Sequence, residues 1–216
     1  GHETGPRSQE TEAVVSHLDS LFGDLISKLE QLPISKYLNI IAVADHGMAE
    51  ISSERTVDLS AYTDMSQIIQ EGSGPYALLY SKKKGIINSV VDDLKNAPNI
   101  SVFLKKDIPN RFHFKNHPRI KDALVLADEG WYIQNQAISS SSTAGEYVPT
   151  GGTHGYDNQL KSMHALFIAQ GPAFKNDILT EPFENVNIYP MIAHILGIDP
   201  SKKIDGNLNN IKHLLK

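Results

Sequence analysis

Across positions 14–32 apolar residues return at helical spacing: Val14, Val15, Leu18, Leu21, Phe22, Leu25, Ile26, Leu29 and Leu32. That period predicts a long amphipathic helix, which Ser8 or Thr11 can cap and Pro33 ends. An uninterrupted apolar run over 40–44 follows and delivers Asp45 and His46, side by side, to Gly47. Such a run predicts a strand buried on both faces of a parallel sheet. Helix followed by buried strand predicts a layered α/β architecture. In such sheets ligands bind at the carboxyl ends of strands, and Gly47 eases the departure from the strand that lets Asp45 and His46 converge.

Further along, 57–59 predicts a short strand, 72–75 a turn, 76–80 a strand, 85–97 a helix closed by Pro98, and 100–104 another strand. The segments 123–127 and 131–133 bracket the turn 128–130 and predict a hairpin. Together these place a small inserted α+β subdomain at 72–136, between the parts 1–71 and 137–216 of the main layered sheet. The polar stretch 139–150 reads as a mobile loop. A strand over 165–169 ends at Gly171-Pro172, and a helix over 186–196 has Pro190 near its start and Gly197 past its end. The tail 201–216 is mostly polar, and no internal repeat is present.

Composition narrows the functional classes. The 216 residues are 40% hydrophobic and 21% charged, with a formal net charge of −5. That is enough chain for one sizeable core, and it offers no basic face for a nucleic-acid partner. No apolar run approaches the roughly 20 residues needed to span a bilayer, so no membrane segment is read. Cysteine is absent, which leaves His, Asp and Glu as the donors for any metal.

Nine histidines are present. His17 and His194 fall in amphipathic helices, His213 lies in the tail, and His113, His117 and His164 lack acidic or glycine context. These six read as packing or surface residues. His2, His46 and His154 remain, each beside a glycine, together with Asp45. Alone, Gly1-His2 reads as a frayed end and Asp45-His46 as a solvated pair at a strand end. Yet oxygen and nitrogen donors at element ends suit a borderline divalent metal such as zinc. His154 sits among Gly151, Gly152 and Gly155, where backbone can approach a ligand closely. Asp157 is a candidate partner for a ligating imidazole or, alternatively, fixes the turn after Tyr156. Trp131, Tyr132 and Tyr156 can supply an aromatic face but read first as core.

Three segments now stand out: Gly1-His2-Glu3-Thr4-Gly5-Pro6, Ala44-Asp45-His46-Gly47-Met48 and Gly151-Gly152-Thr153-His154-Gly155-Tyr156-Asp157-Asn158, the last continuing to Gln170-Gly171-Pro172-Ala173-Phe174. In order and spacing they resemble the nucleotide pyrophosphatase/phosphodiesterases of the alkaline phosphatase superfamily. The resemblance implies an alkaline phosphatase-like layered sheet with helices on both faces, present in part, and a site with two zinc ions. Position by position, His2 and His154 would hold the first zinc, and Asp45 and His46 the second. The family's two further aspartate ligands and its threonine nucleophile lie upstream of His2 and have no counterpart in these residues. Two divalent metals about 4 Å apart activate a nucleophile and steady a leaving oxygen. The implied substrate is a small phosphodiester or nucleotide, cleaved through a covalent threonine intermediate that water then hydrolyses.

The same resemblance implies that the chain is the C-terminal part of a longer, exported or periplasmic enzyme. By itself it is then expected to bind zinc weakly or at one site only, to hydrolyse no phosphodiester, and to self-associate through uncovered apolar surface. Two other readings stay open. One is a different hydrolase of the superfamily, such as a phosphonoacetate hydrolase, phosphomutase or sulfatase relative. The other is a non-catalytic binding module that carries the motifs without turnover.

Overall fold

Ser8 starts the first helix, α1 (Gln9–Glu30), by accepting a hydrogen bond from the Thr11 backbone N–H at 3.1 Å, while its own carbonyl accepts from Glu12 N at 3.0 Å. This is the expected N-cap, and it satisfies a backbone donor that the helix cannot pair internally. Glu10 and Glu12 in the first turn and Lys28 in the last complement the helix dipole. The computed structural model describes residues 1–83, 85–135 and 149–216; most of the expected loop at 139–150 lies outside them. After α1 come β1 (Ile40–Val43), β2 (Ala49–Ile51), β3 (Thr56–Val57), β4 (Ile69–Glu71) and β5 (Tyr76–Tyr80). Then follow α2 (Ile86–Leu94), β6 (Ile100–Leu104), β7 (Ala123–Ala127), β8 (Tyr132–Ile133), β9 (Gly151–Thr153), β10 (Phe167–Gln170) and α3 (Ile188–Ile195).

The chain divides into two compact units, one of residues 1–13 and 47–163, the other of 14–46 and 164–216. The first unit is built on an antiparallel sheet in the order β4-β5-β7-β6. All five residues of β7 are buried, as are Ala77 and Leu79 of β5, and Val90, Val91 and Leu94 of α2 join the same core. The expected insert at 72–136 lies wholly inside this unit. Its hairpin does not form. The chain does turn, with Trp131 N donating to Asp128 O at 2.9 Å. Both edges of β7 are already taken by β5 and β6, however, so β8 pairs in parallel with β3 instead. β2 and β9 form a separate antiparallel pair, Ala49 opposite Thr153 and Ile51 opposite Gly151.

In the second unit β1 pairs with β10 alone among the described residues, and the pairing is antiparallel. The expectation of a strand buried on both faces of a parallel sheet is therefore corrected. Ile40, Ile41 and Ala42 are half-buried and Val43 is exposed. The apolar run reports that these side chains suit a dry environment; it says nothing of which strand lies alongside. The tail, mostly polar in sequence, nevertheless supplies core. Ile211, Leu214 and Leu215 are buried with Met191 of α3 and Phe174, and Phe174 bridges to Leu215. The buried Asn187 side chain fastens the tail to the start of α3, accepting from Asn207 N at 2.8 Å and Asn210 Nδ2 at 3.3 Å. By contrast, α1 buries no residue, and Val14, Val15, Leu18, Leu21 and Leu25 of its apolar face are each about half exposed or more.

Candidate functional site

A pair of glycines lets two distant histidines meet. Gly151 adopts φ +82°, and a Cβ placed there would lie 2.1 Å from His2 O and 2.7 Å from Glu3 O. At Gly152 a Cβ would lie 2.6 Å from Met48 Sδ and 2.9 Å from Gly1 O. Only hydrogen at both positions admits the segment 1–3 onto β9. Once there, His2 is held twice: Gly152 N–H donates to its carbonyl at 3.0 Å, and its Nδ1 lies 2.9 Å from Gly152 O. A carbonyl can only accept, so Nδ1 carries a proton, and in the neutral imidazole Nε2 is the nitrogen with the lone pair. That is the tautomer a metal-ligating imidazole uses, with its second nitrogen anchored on backbone.

His154 follows directly on β9, and its ring centre lies 5.3 Å from that of His2 at an interplanar angle of 57°. Two imidazoles on one tetrahedral zinc, at Zn–N about 2.0–2.1 Å, have ring centres about 5 Å apart. The spacing of the two rings thus fits the group that the family resemblance implies. Beyond His154 the chain is pinned by Tyr156 and Asp157. Buried Tyr156 donates its hydroxyl to Trp131 O at 2.9 Å, and burial pushes its phenol up to about 12. Asp157 accepts Arg111 Nη1 at 2.6 Å and Nη2 at 2.5 Å, and also Gln159 N at 2.9 Å. The Arg111 hydrogen bonds, foremost, hold its carboxyl below the ordinary 3.8. Asp157 therefore fixes the turn after Tyr156.

Asp45 and His46 belong to the second unit, just past β1. There Asp45 Oδ1 accepts the His46 N–H at 3.0 Å, and Asp45 Oδ2 lies 3.4 Å from His46 Nε2. The expected convergence of these two side chains occurs, with the carboxylate largely exposed. The structure thus forms two pairs, His2 with His154 and Asp45 with His46, one in each unit. Among the described residues no group of three or more His, Cys, Asp or Glu gathers to hold a metal ion. An open cleft of about 420 Å³ in the second unit, bordered by Glu30, Lys36 and Lys216, includes none of the four candidates.

The remaining histidines behave as surface or packing residues. His117 Nδ1 accepts from Arg119 N at 3.2 Å, His213 Nε2 lies 3.3 Å from Thr180 Oγ1, and His113 closes a short turn at φ 48°. Arg111 carries no local signal in the sequence, because its partner Asp157 is 46 residues away. No helix among the described residues is long and apolar enough to cross a membrane.

Comparison with known proteins places these features in context. The family model for type I phosphodiesterase / nucleotide pyrophosphatase matches residues 1–157. The whole chain is 38% identical to mouse bis(5'-adenosyl)-triphosphatase enpp4, covering 45% of that protein. It is 35% identical to human ectonucleotide pyrophosphatase/phosphodiesterase family member 5, covering 43%. Among solved structures, human ectonucleotide pyrophosphatase/phosphodiesterase 5 superimposes with a TM-score of 0.83 at 35% identity, over 100% of this chain and 55% of that one. An inactive murine form of the same protein, in complex with AMP, matches with the same TM-score at 33% identity. The chain spans about half the length of these relatives.

Proposed function

Because the chain belongs to the type I phosphodiesterase / nucleotide pyrophosphatase family, we propose that it forms part of a zinc-dependent hydrolase of phosphodiester or pyrophosphate bonds in small nucleotides. Its fold is the partial alkaline phosphatase-like α/β fold of that family. The alternative of a phosphonoacetate hydrolase or sulfatase relative gives way to this family. The AMP complex of a murine relative and the bis(5'-adenosyl)-triphosphatase name of another support a nucleotide substrate. The prefix in the relatives' names, ectonucleotide, supports an exported location.

In this reading His2 and His154 hold one zinc, and Asp45 and His46 contribute to a second. Bound there, zinc supplies Lewis-acid charge that offsets negative charge developing on the phosphoryl oxygens. The chain's own residues do the rest. Gly151 and Gly152 admit His2, the Gly152 carbonyl holds its Nδ1 proton, and the Arg111–Asp157 pair closes the turn beyond His154. In the net reaction the bond from phosphorus to the leaving oxygen breaks and a water oxygen takes its place. One water proton passes to the leaving group. The threonine nucleophile that the family resemblance requires lies outside these residues, so the chain by itself is expected to bind zinc without turnover.

The observation that carries this proposal is the anchoring of His2 on Gly152, within imidazole range of His154. The test is a zinc titration of the purified chain followed by thermal unfolding, since a ligand of the folded state raises stability by mass action. Wild type is expected to gain stability, and His2→Ala and His154→Ala are expected to lose most of that gain. No gain at millimolar zinc would favour the second reading, a non-catalytic binding module. Turnover of a p-nitrophenyl nucleotide ester by the chain alone, lost in His154→Ala, would contradict the assignment of the nucleophile.

A further inference from the structure

We propose that Arg111 is a positioning residue for His154: it clamps the turn that follows His154 and so sets where that imidazole stands. The proposal rests on the reading of His154 as a zinc ligand. His154 lies between two anchors. Upstream is the β2–β9 pair, which ends at Thr153. Downstream is Gly155 at φ +110°, a conformation glycine takes without strain, so the backbone placement of His154 depends also on what holds the chain after Gly155.

Buried Tyr156, bonded to Trp131 O, holds it first, and a cluster around Arg111 holds it next. The guanidinium gives Nη1 to Asp157 Oδ1 at 2.6 Å and Nη2 to Asp157 Oδ2 at 2.5 Å, a two-bond fork. Nη1 also reaches Asn158 Oδ1 at 2.8 Å, and Asn158 Nδ2 returns to Arg111 O at 3.5 Å. The guanidinium carbon stands 4.3 Å above the centre of the Phe112 ring, which fixes its plane. Both partners of the ion pair are about two-thirds buried, so the charges are less screened than on an open surface. From the other side, the ring of Tyr76 lies against Gly155, within 3.6 Å of a Cβ built there, and meets Phe114 edge-on at 6.4 Å.

The fork has a second consequence. Asp157 stands three residues from His154 and would, as an isolated carboxylate, be an oxygen donor for a divalent cation. With both oxygens engaged by Arg111, and one also by Gln159 N, it serves as an anchor and leaves the coordination to the imidazoles. Lysine keeps the charge but has no planar fork, so it cannot satisfy both oxygens in this geometry.

The test uses the purified chain and three variants, Arg111→Ala, Arg111→Lys and Asp157→Asn, each also made in a His154→Ala background. Zinc affinity is read by competition with a chromophoric chelator, cobalt(II) d–d bands report ligand geometry, and far-UV circular dichroism checks folding. Arg111→Ala is expected to weaken zinc about 10–100-fold, the usual effect of losing a group that orients a ligand. Lysine is not expected to rescue it. In the His154→Ala background the same change should have no further effect, because Arg111 acts through His154. Equal loss in both backgrounds would mean a general structural role and would overturn the proposal. A metal-free readout separates it from the zinc assignment: the His154 imidazole resonances should broaden or shift toward random-coil positions in Arg111→Ala while those of His2 hold. Unchanged His154 resonances would overturn the positioning role. Failure of wild type to bind zinc would overturn only the function on which it rests.

Discussion

Replacing Gly151 by alanine tests whether the docking of His2 depends on the glycine pair. The new Cβ would sit 2.1 Å from His2 O and 2.7 Å from Glu3 O, both backbone atoms that no side-chain rotation can move aside. Letting go of the segment 1–3 relieves that clash, so the cost is set by what is then lost. Two hydrogen bonds go, Gly152 N to His2 O and His2 Nδ1 to Gly152 O, at about 0.5–1.5 kcal/mol each. Holding alanine at φ +82° adds about 1–2 kcal/mol. The total is about 2–5 kcal/mol, and hydrogen exchange at the Gly152 amide is the local assay, because that N–H pairs with His2 O. Exchange there is expected to speed up and zinc affinity to fall. Gly23→Ala is the control: it lies in α1 with nothing within 4 Å of the added carbon and should stabilise the helix by about 0.5–1 kcal/mol. Unchanged protection of the Gly152 amide in Gly151→Ala would refute the argument.

Three further outcomes follow from individual side chains. The folded-state carboxyl of Asp157 is depressed below 3.8 by Arg111; its stabilisation is therefore complete above that value and disappears as pH falls through the lower folded pKa. Urea unfolding of wild type against Asp157→Asn should show a gap at pH 7 that narrows below pH 4; a gap independent of pH counts against the ion pair. For Tyr156 the raised phenol, at about 12, stabilises the fold below pH 10 and loses that contribution as pH rises toward 12, so Tyr156→Phe should flatten alkaline unfolding monitored at the phenolate band. The exposed apolar face of α1 should drive self-association, and Leu18→Glu with Leu25→Glu should shift sedimentation toward monomer without lowering the unfolding midpoint. A wild-type monomer at high concentration contradicts that expectation.

Local patterns in the sequence carried a good part of this structure. The Ser8 cap, the period of α1, the strands over 76–80 and 100–104 and the pairing of Asp45 with His46 all arise within a few residues, where backbone geometry alone decides. The glycines around His154 marked a close approach of backbone, and the family resemblance supplied His2 as its counterpart. What approaches Gly151 and Gly152 through space is another matter, because the contact joins residues 150 apart. The failed hairpin shows the same limit: β7 could not pair with β8 once β5 and β6 occupied its edges. Likewise the antiparallel partner of β1, the burial of Ile211, Leu214 and Leu215, and the grip of Arg111 on Asp157 are choices among many chemically suitable partners. Propensity, capping and donor type are properties of a short stretch and can be read from it. Which edge, cavity or charge a stretch meets depends on which competing contacts are already made, and only the folded chain resolves that competition.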